Sequence, residues 1–126
     1  MTETNPVFKR ADGEFVPTSW GELNWKITGE ATPGAEMTFG TCLIHSGERN
    51  GLHSHPDCEE ILYVVSGSCE HKLGDALHRL EPGDAIRIPR KVRHWARCIG
   101  TEPLFALIIF SSGKRTAINH EDEGTA

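Results

Sequence analysis

No stretch of this chain is apolar for long. The longest near-apolar run, Leu104 to Phe110, is seven residues, against the roughly 20 that a membrane helix needs, so no helical span is expected. The start, MTETNPVFKR, lacks a basic region followed by an apolar stretch. No secretory leader is therefore expected, and the expected compartment is the cytoplasm. The cysteines, Cys42, Cys58, Cys69 and Cys98, form no CxxC pair; in that compartment they should stay reduced and pack as small hydrophobes. Positive charge is in short supply. Thirteen Lys and Arg stand against 18 Asp and Glu, a net charge of −5, which argues against nucleic acid and anionic membrane surfaces as partners. No segment keeps 3.6-residue apolar spacing for three turns, which excludes a helical bundle and leaves no helix-turn-helix for a transcription regulator. Internal repeats and low-complexity stretches are also missing.

What remains is strand and turn. The 126 residues fit one domain, and 13 Gly and 7 Pro punctuate them often. Residues 1–18 read as an N-terminal arm with one short strand, 19–115 as a β-barrel domain, and 116–126 as a flexible acidic tail. Within the domain, WGELNWKI alternates bulky and polar side chains, and EMTFGTCLIHSG ends at Gly47. HSHPDCEEILYVVSG holds a Pro-Asp turn between two strands, and CEHKLGDALHRL is a hairpin with Gly74-Asp75 at its tip. DAIRIP, RHWARCI and LFALIIF follow. About eight short strands with turns every eight to twelve residues predict an all-β sandwich or barrel.

The seven histidines are the compositional oddity. His53 and His55 lie one residue apart in a predicted strand, so both side chains share a face. Two exposed histidines on a strand explain that pair as well as a ligand pair does. Buried on the inside of a small barrel, they would instead call for a divalent metal, which neutral imidazole ligates well. Glu60 opens the next predicted strand after the Pro56-Asp57 turn, and His94 lies on a strand 34 residues later.

The order and spacing of these residues resemble the cupin superfamily. Gly47, five residues, His53-x-His55, four residues, Glu60, six residues and Gly67 match its first motif throughout. Gly83, five residues, Pro89 and then His94 match the Gly, Pro and His of its second motif. The 15 residues from Ser68 to Pro82 resemble the short linker of small single-domain members. Two positions depart from the pattern. Lys91 stands where the second motif usually has Gly, so the turn after Pro89 is expected to be reshaped. Cys98 stands where Asn is common. It shares parity with His94 but lies about 13 Å further along the strand, at roughly 3.3 Å per residue, so it is read as interior packing.

The resemblance implies a double-sheet jelly-roll barrel, a metal set of His53, His55, Glu60 and His94, and one divalent ion (Fe, Mn, Ni or Zn). Glu59 is the rival carboxylate, but motif spacing and parity with Leu62 and Val64 favour Glu60. Three neutral imidazoles and a carboxylate leave a divalent ion at net charge +1 with two octahedral positions open to water, dioxygen or a substrate. The function expected is a metal-dependent enzyme, a dioxygenase (an oxidoreductase) or a Lewis-acid isomerase or lyase, acting on a small polar or anionic organic molecule. A non-catalytic small-molecule binding or sensor module is the alternative. A homodimer is expected from family habit, with Trp20, Leu23, Trp25 and Ile27 at the contact or, equally, in the core.

Other residues attract attention with duller explanations at hand. His71 and His78 should face each other across the hairpin as an exposed pair. His45 shares the parity of His53 only if its strand runs through Gly47, and His120 falls in the tail. Arg87, Arg90, Lys91, Arg93 and Arg97 crowd around His94 and read as an anion-attracting patch or, more simply, a solvated strand face. Phe39, Leu62, Ile88 and Phe105 are expected to line the pocket. Tyr63 has the parity that points it away from Glu60, and no general base is identified.

Overall fold

The computed structural model describes residues 5–120. Eleven strands follow one another: β1 Glu14–Pro17, β2 Gly21–Ile27, β3 Thr38–Ile44, β4 His53–Ser54, β5 Glu60–Ser66, β6 Cys69–Leu73, β7 Ala76–Leu80, β8 Ala85–Ile88, β9 His94–Cys98, β10 Leu104–Phe110 and β11 Ile118–Asn119. They form two antiparallel sheets, one in the order β1-β2-β3-β10-β5-β8 and the other β11-β4-β9-β6-β7. This is the all-β architecture that the strand-and-turn pattern predicts and the jelly roll that the resemblance implies. Among the described residues there is no helix, and so none long and apolar enough to cross a membrane.

Period-two alternation fills the space between the sheets. β10 sends Leu104, Ala106, Ile108 and Phe110 inward, β3 contributes Cys42 and Ile44, and β5 contributes Leu62 and Val64. Ile88, Ala96, Cys69 and Cys98 close the core from the remaining strands. All four cysteines are free and buried, packed as small hydrophobes; Cys98 shares the inward face with His94. Gly67, the last residue of the first motif, has φ +79°, and a Cβ there would lie 2.5 Å from the Pro103 carbonyl oxygen. Only glycine lets the β5–β6 turn pass so close to the strand entering β10.

The structure corrects the expected pocket lining. Phe39 and Phe105 sit on the half-buried outer face of β3 and β10, the face of Leu43, Leu107 and Ile109. Both faces of these central strands are apolar, so composition carries no sign of which side turns inward. Leu62 and Ile88 do face in, as expected.

The ends of the domain also differ in part from the reading. β1 is the single short strand of the arm, paired with β2, while Lys26 ties the preceding turn down by donating its Nζ hydrogens to the Lys9, Arg10 and Asp12 carbonyls. The expected loose tail begins as a strand instead. Ile118 and Asn119 pair with Ser54 and His53, and the His120 amide donates to the Leu52 carbonyl at 2.9 Å. Residues 1–4 of the arm and 121–126 of the tail lie outside the described residues.

Candidate metal centre

β4 is only two residues long, yet it has neighbours on both sides. His53 is the register partner of His94 on β9 and of Asn119 on β11. Alternation turns His53 and His55 to one side and Ser54 to the other, where its hydroxyl meets His120 Nε2 at 2.8 Å. Glu60 enters as the first residue of β5, buried, with Ile88 and Phe110 as its register partners. Glu59 points outward and binds Arg87 Nε–H through Oε1 at 2.9 Å. Glu60 faces inward and Glu59 outward, as parity with Leu62 and Val64 predicts. His45, beyond the end of β3, is exposed and takes no part.

The turn before β9 keeps the backbone that a glycine would adopt. Lys91 has φ +73°, in the left-handed region, rather than a reshaped loop. Its amide donates to the His55 carbonyl at 2.8 Å, so the strained residue ties the entry to His94 onto the His53–His55 segment.

The three imidazoles are oriented alike. His53 donates Nδ1–H to the Gly51 carbonyl (2.7 Å), His55 to the Thr116 carbonyl (2.9 Å) and His94 to the Val92 carbonyl (2.9 Å). A carbonyl oxygen only accepts, so each Nδ1 carries a proton and each ring turns its Nε2 to the interior. Those Nε2 atoms converge on a carboxylate: Glu60 Oε1 is 3.2 Å from His55 Nε2 and 3.3 Å from His94 Nε2. The ligating atoms of all four residues lie within 4.8 Å of one another. His55 Nε2, His94 Nε2 and Glu60 Oε1 are buried without a hydrogen-bond partner. Ring nitrogens and a carboxylate oxygen this close in a buried site call for a shared cation, a proton or a metal ion. Burial alone raises the Glu60 pKa, but His55 and His94 outweigh it and hold the carboxyl at about 2. Burial, and then the neighbouring His94, push His53 down to about 4. A carboxylate among imidazoles is the donor set that suits a divalent first-row metal.

The group opens into a cavity of about 200 Å³. Trp20, Trp25, Leu62, Ile108 and Phe110 form its apolar walls. Trp20 and Trp25 are thus turned to the cavity and pack, partly buried, against the core. Gly40 makes room for Trp25: a Cβ there would lie 2.8 Å from the indole ring.

Two lining residues were missed by the sequence reading. His71 is the Cα partner of His78, as the two-residue hairpin requires, but the two side chains part company. His78 is exposed, while His71 is 1% exposed and lies parallel to His94, ring centroids 5.7 Å apart and planes 10° apart. The expected exposed pair is corrected accordingly. On the other side of His71 its register partner is Ala96, small enough to leave space for an imidazole. The usable signal was parity with Cys69. The second is Arg115, from the loop after β10, whose guanidinium lies 4.2 Å from the Trp25 ring centroid and 5.3 Å from that of Phe110. The basic cluster is not at the cavity. Arg87, Arg90, Lys91 and Arg93 are exposed, and Arg97 lies over Trp95.

Comparison with known proteins agrees with this geometry. A family model described as "Cupin domain" matches residues 40–110. The chain is 37% identical over 95 residues to Protein SchB of Streptomyces halstedii, covering 72% of this chain and 67% of that protein. It is 36% identical over 83 residues to the polyketide synthase CurC of Streptomyces cyaneus, covering 65% of this chain and 53% of that one. Among solved structures, the formate complex of Lactobacillus farciminis oxalate decarboxylase superposes with a TM-score of 0.78 at 24% identity, over 84% of this chain and 33% of that one. Oxalate decarboxylase of Bacillus subtilis gives 0.77 at 21%, over 84% and 29%. The chain thus spans about half the length of CurC and about a third of the decarboxylases, and at these identities the decarboxylases bear on the fold alone.

Proposed function

Because this chain belongs to the cupin domain family, we propose that it is a metal-dependent enzyme acting on a small polar or anionic organic molecule, as a dioxygenase or as a Lewis-acid isomerase or lyase. The observation that carries the reading is the convergence of the three Nε2 atoms and the Glu60 carboxylate on one buried point. His53, His55, Glu60 and His94 are the residues that would hold the ion. Bound there, a divalent metal supplies Lewis acidity and open positions for oxygen donors. The chain's own part is to orient the rings through the Gly51, Thr116 and Val92 carbonyls and to wall the site with Trp20, Trp25 and Phe110. The likeness to a polyketide synthase supports an oxygenated carbon skeleton as substrate.

Binding or sensing without turnover is the second reading. It is favoured by the scarcity of proton carriers: outside the four proposed ligands, the cavity holds the imidazole of His71 and the thiol of Cys42, whose pKa burial pushes far up. Metal analysis followed by dioxygen uptake against small catechols, thiols and hydroxy acids separates these readings. Oxygen consumption supports a dioxygenase. Conversion without oxygen consumption supports the isomerase or lyase. Saturable binding with no product across the panel contradicts the enzyme.

We further propose that the chain works as a homodimer. Ile61, Tyr63 and Val65 stand exposed in a row on the outer face of β5, a better contact than the inward-turned tryptophans.

A further inference from the structure

We propose that Arg115 is the recognition residue of the cavity and that the ligand it selects is a small single-ring molecule bearing a carboxylate. This rests on the reading of the site as a metal centre with a small-molecule cavity, and adds the substrate class.

The charge pattern leads there. Among the described residues lining the cavity only Glu60 and Arg115 carry a formal charge. Glu60 is engaged by His55 and His94, and with a divalent ion beside it the cavity has a net positive charge in which the guanidinium is not offset. Elsewhere in this acidic chain, arginines find carboxylates at the surface: Arg79 binds Glu81 and Arg87 binds Glu59. Arg115 has no hydrogen bond or ion pair among the described residues, although it is partly buried. Burial works against its charge, and Glu60 works in favour of it.

The guanidinium is also held in place. Trp25 and Phe110 lie beneath it, which leaves the N–H edges of the fork for a planar oxyanion. The next residue, Thr116, accepts the Nδ1–H of His55, so the backbone that carries Arg115 is fixed to the metal group itself. Trp25 and Arg115 form a wall common to the cavity and a wider groove lined by Glu14, Thr28, Glu30 and Lys114. The cavity, about 200 Å³, exceeds the roughly 150 Å³ that accommodates benzene in an engineered protein core. One ring fits, and aromatic walls suit it.

The experiment compares salicylate with its neutral isostere salicylamide by titration calorimetry on zinc-loaded wild type, R115Q and R115K, with metal content measured on each. Wild type should prefer salicylate. R115Q should retain its zinc and lose about tenfold in salicylate affinity, the worth of a charge-assisted pair, with salicylamide affinity unchanged. R115K keeps the charge but not the fork and should fall between. Salicylate bound equally by wild type and R115Q, or no salicylate preference in wild type, overturns the proposal and leaves the metal centre standing. Wild type without zinc contradicts the metal reading instead; the same comparison on that protein still decides the role of Arg115. Should R115Q fail to fold, R115K decides, and an unchanged salicylate affinity in it overturns the proposal.

Discussion

The imidazoles of His71 and His94 lie parallel, 10° apart in plane and 5.7 Å between centroids. His94 is thereby enclosed, with His53 on another side at 4.1 Å. His71 acts as a wall that keeps a proposed ligand ring in position, as supporting groups around metal ligands commonly do. His71→Ala should weaken zinc affinity about tenfold, whereas His71→Phe, which keeps a flat ring there, should come close to wild type. Competition with a chromogenic chelator measures both. Equal loss in the two variants would show that the imidazole nitrogens matter rather than the stacked plane.

Acid should unfold the chelated protein earlier than a chain of ordinary histidines. Burial, and then His94, lower both His53 and His71 from 6.5 to about 4. Between those values the unfolded chain binds protons that the folded chain does not, so stability falls as pH drops through that window. Glu60, held at about 2, adds a loss in the same direction below its ordinary value of 4.5. Urea midpoints of metal-free protein across pH 7 to 4 check the slope. A midpoint that stays flat from 6.5 to 4 contradicts it.

Lys91 occupies a left-handed conformation, φ +73°, while its amide holds the His55 carbonyl. Relief of that strain outweighs the added freedom of the unfolded chain, so Lys91→Gly should stabilise the protein by about 0.5–1 kcal/mol. The metal content should not change. Denaturant unfolding of both forms measures the gain, and a destabilised glycine variant would mean that the lysine side chain holds the turn.

Light scattering tests the homodimer. Wild type should run at twice the chain mass, and Tyr63→Glu, placed on the outer face of β5, should shift it to monomer with its metal content retained. A monomeric wild type at high micromolar concentration contradicts the association, and a dimer unaffected by Tyr63→Glu places the contact elsewhere.

The proposed ligands were legible because strand parity is a short-range rule. Glu60 shares it with Leu62 and Val64, Glu59 does not, and each points accordingly. Phe39 and Phe105 were misplaced because both faces of β3 and β10 are apolar and nothing local distinguishes inside from outside. His71 was paired correctly with His78, but which end of that rung lies under the barrel depends on β9 packing beside β6. Arg115 is positioned by a loop, through Thr116 and His55, and no periodicity reaches it. The start of the tail was read from its polar composition, which does not reveal that β4 offers Ile118 and Asn119 a free edge.

The central claim is that one buried point, set by His53, His55, Glu60 and His94, binds a divalent ion. Its most direct measurement is elemental analysis of wild type, Glu60→Gln and Glu59→Gln after equilibration with Mn, Ni, Zn and Fe(II) in turn. Wild type and Glu59→Gln should each retain one ion per chain and gain thermal stability with it, while Glu60→Gln should lose both. A wild-type protein that retains none of the four metals, or a Glu59→Gln variant stripped of metal beside a fully loaded Glu60→Gln, would contradict the account.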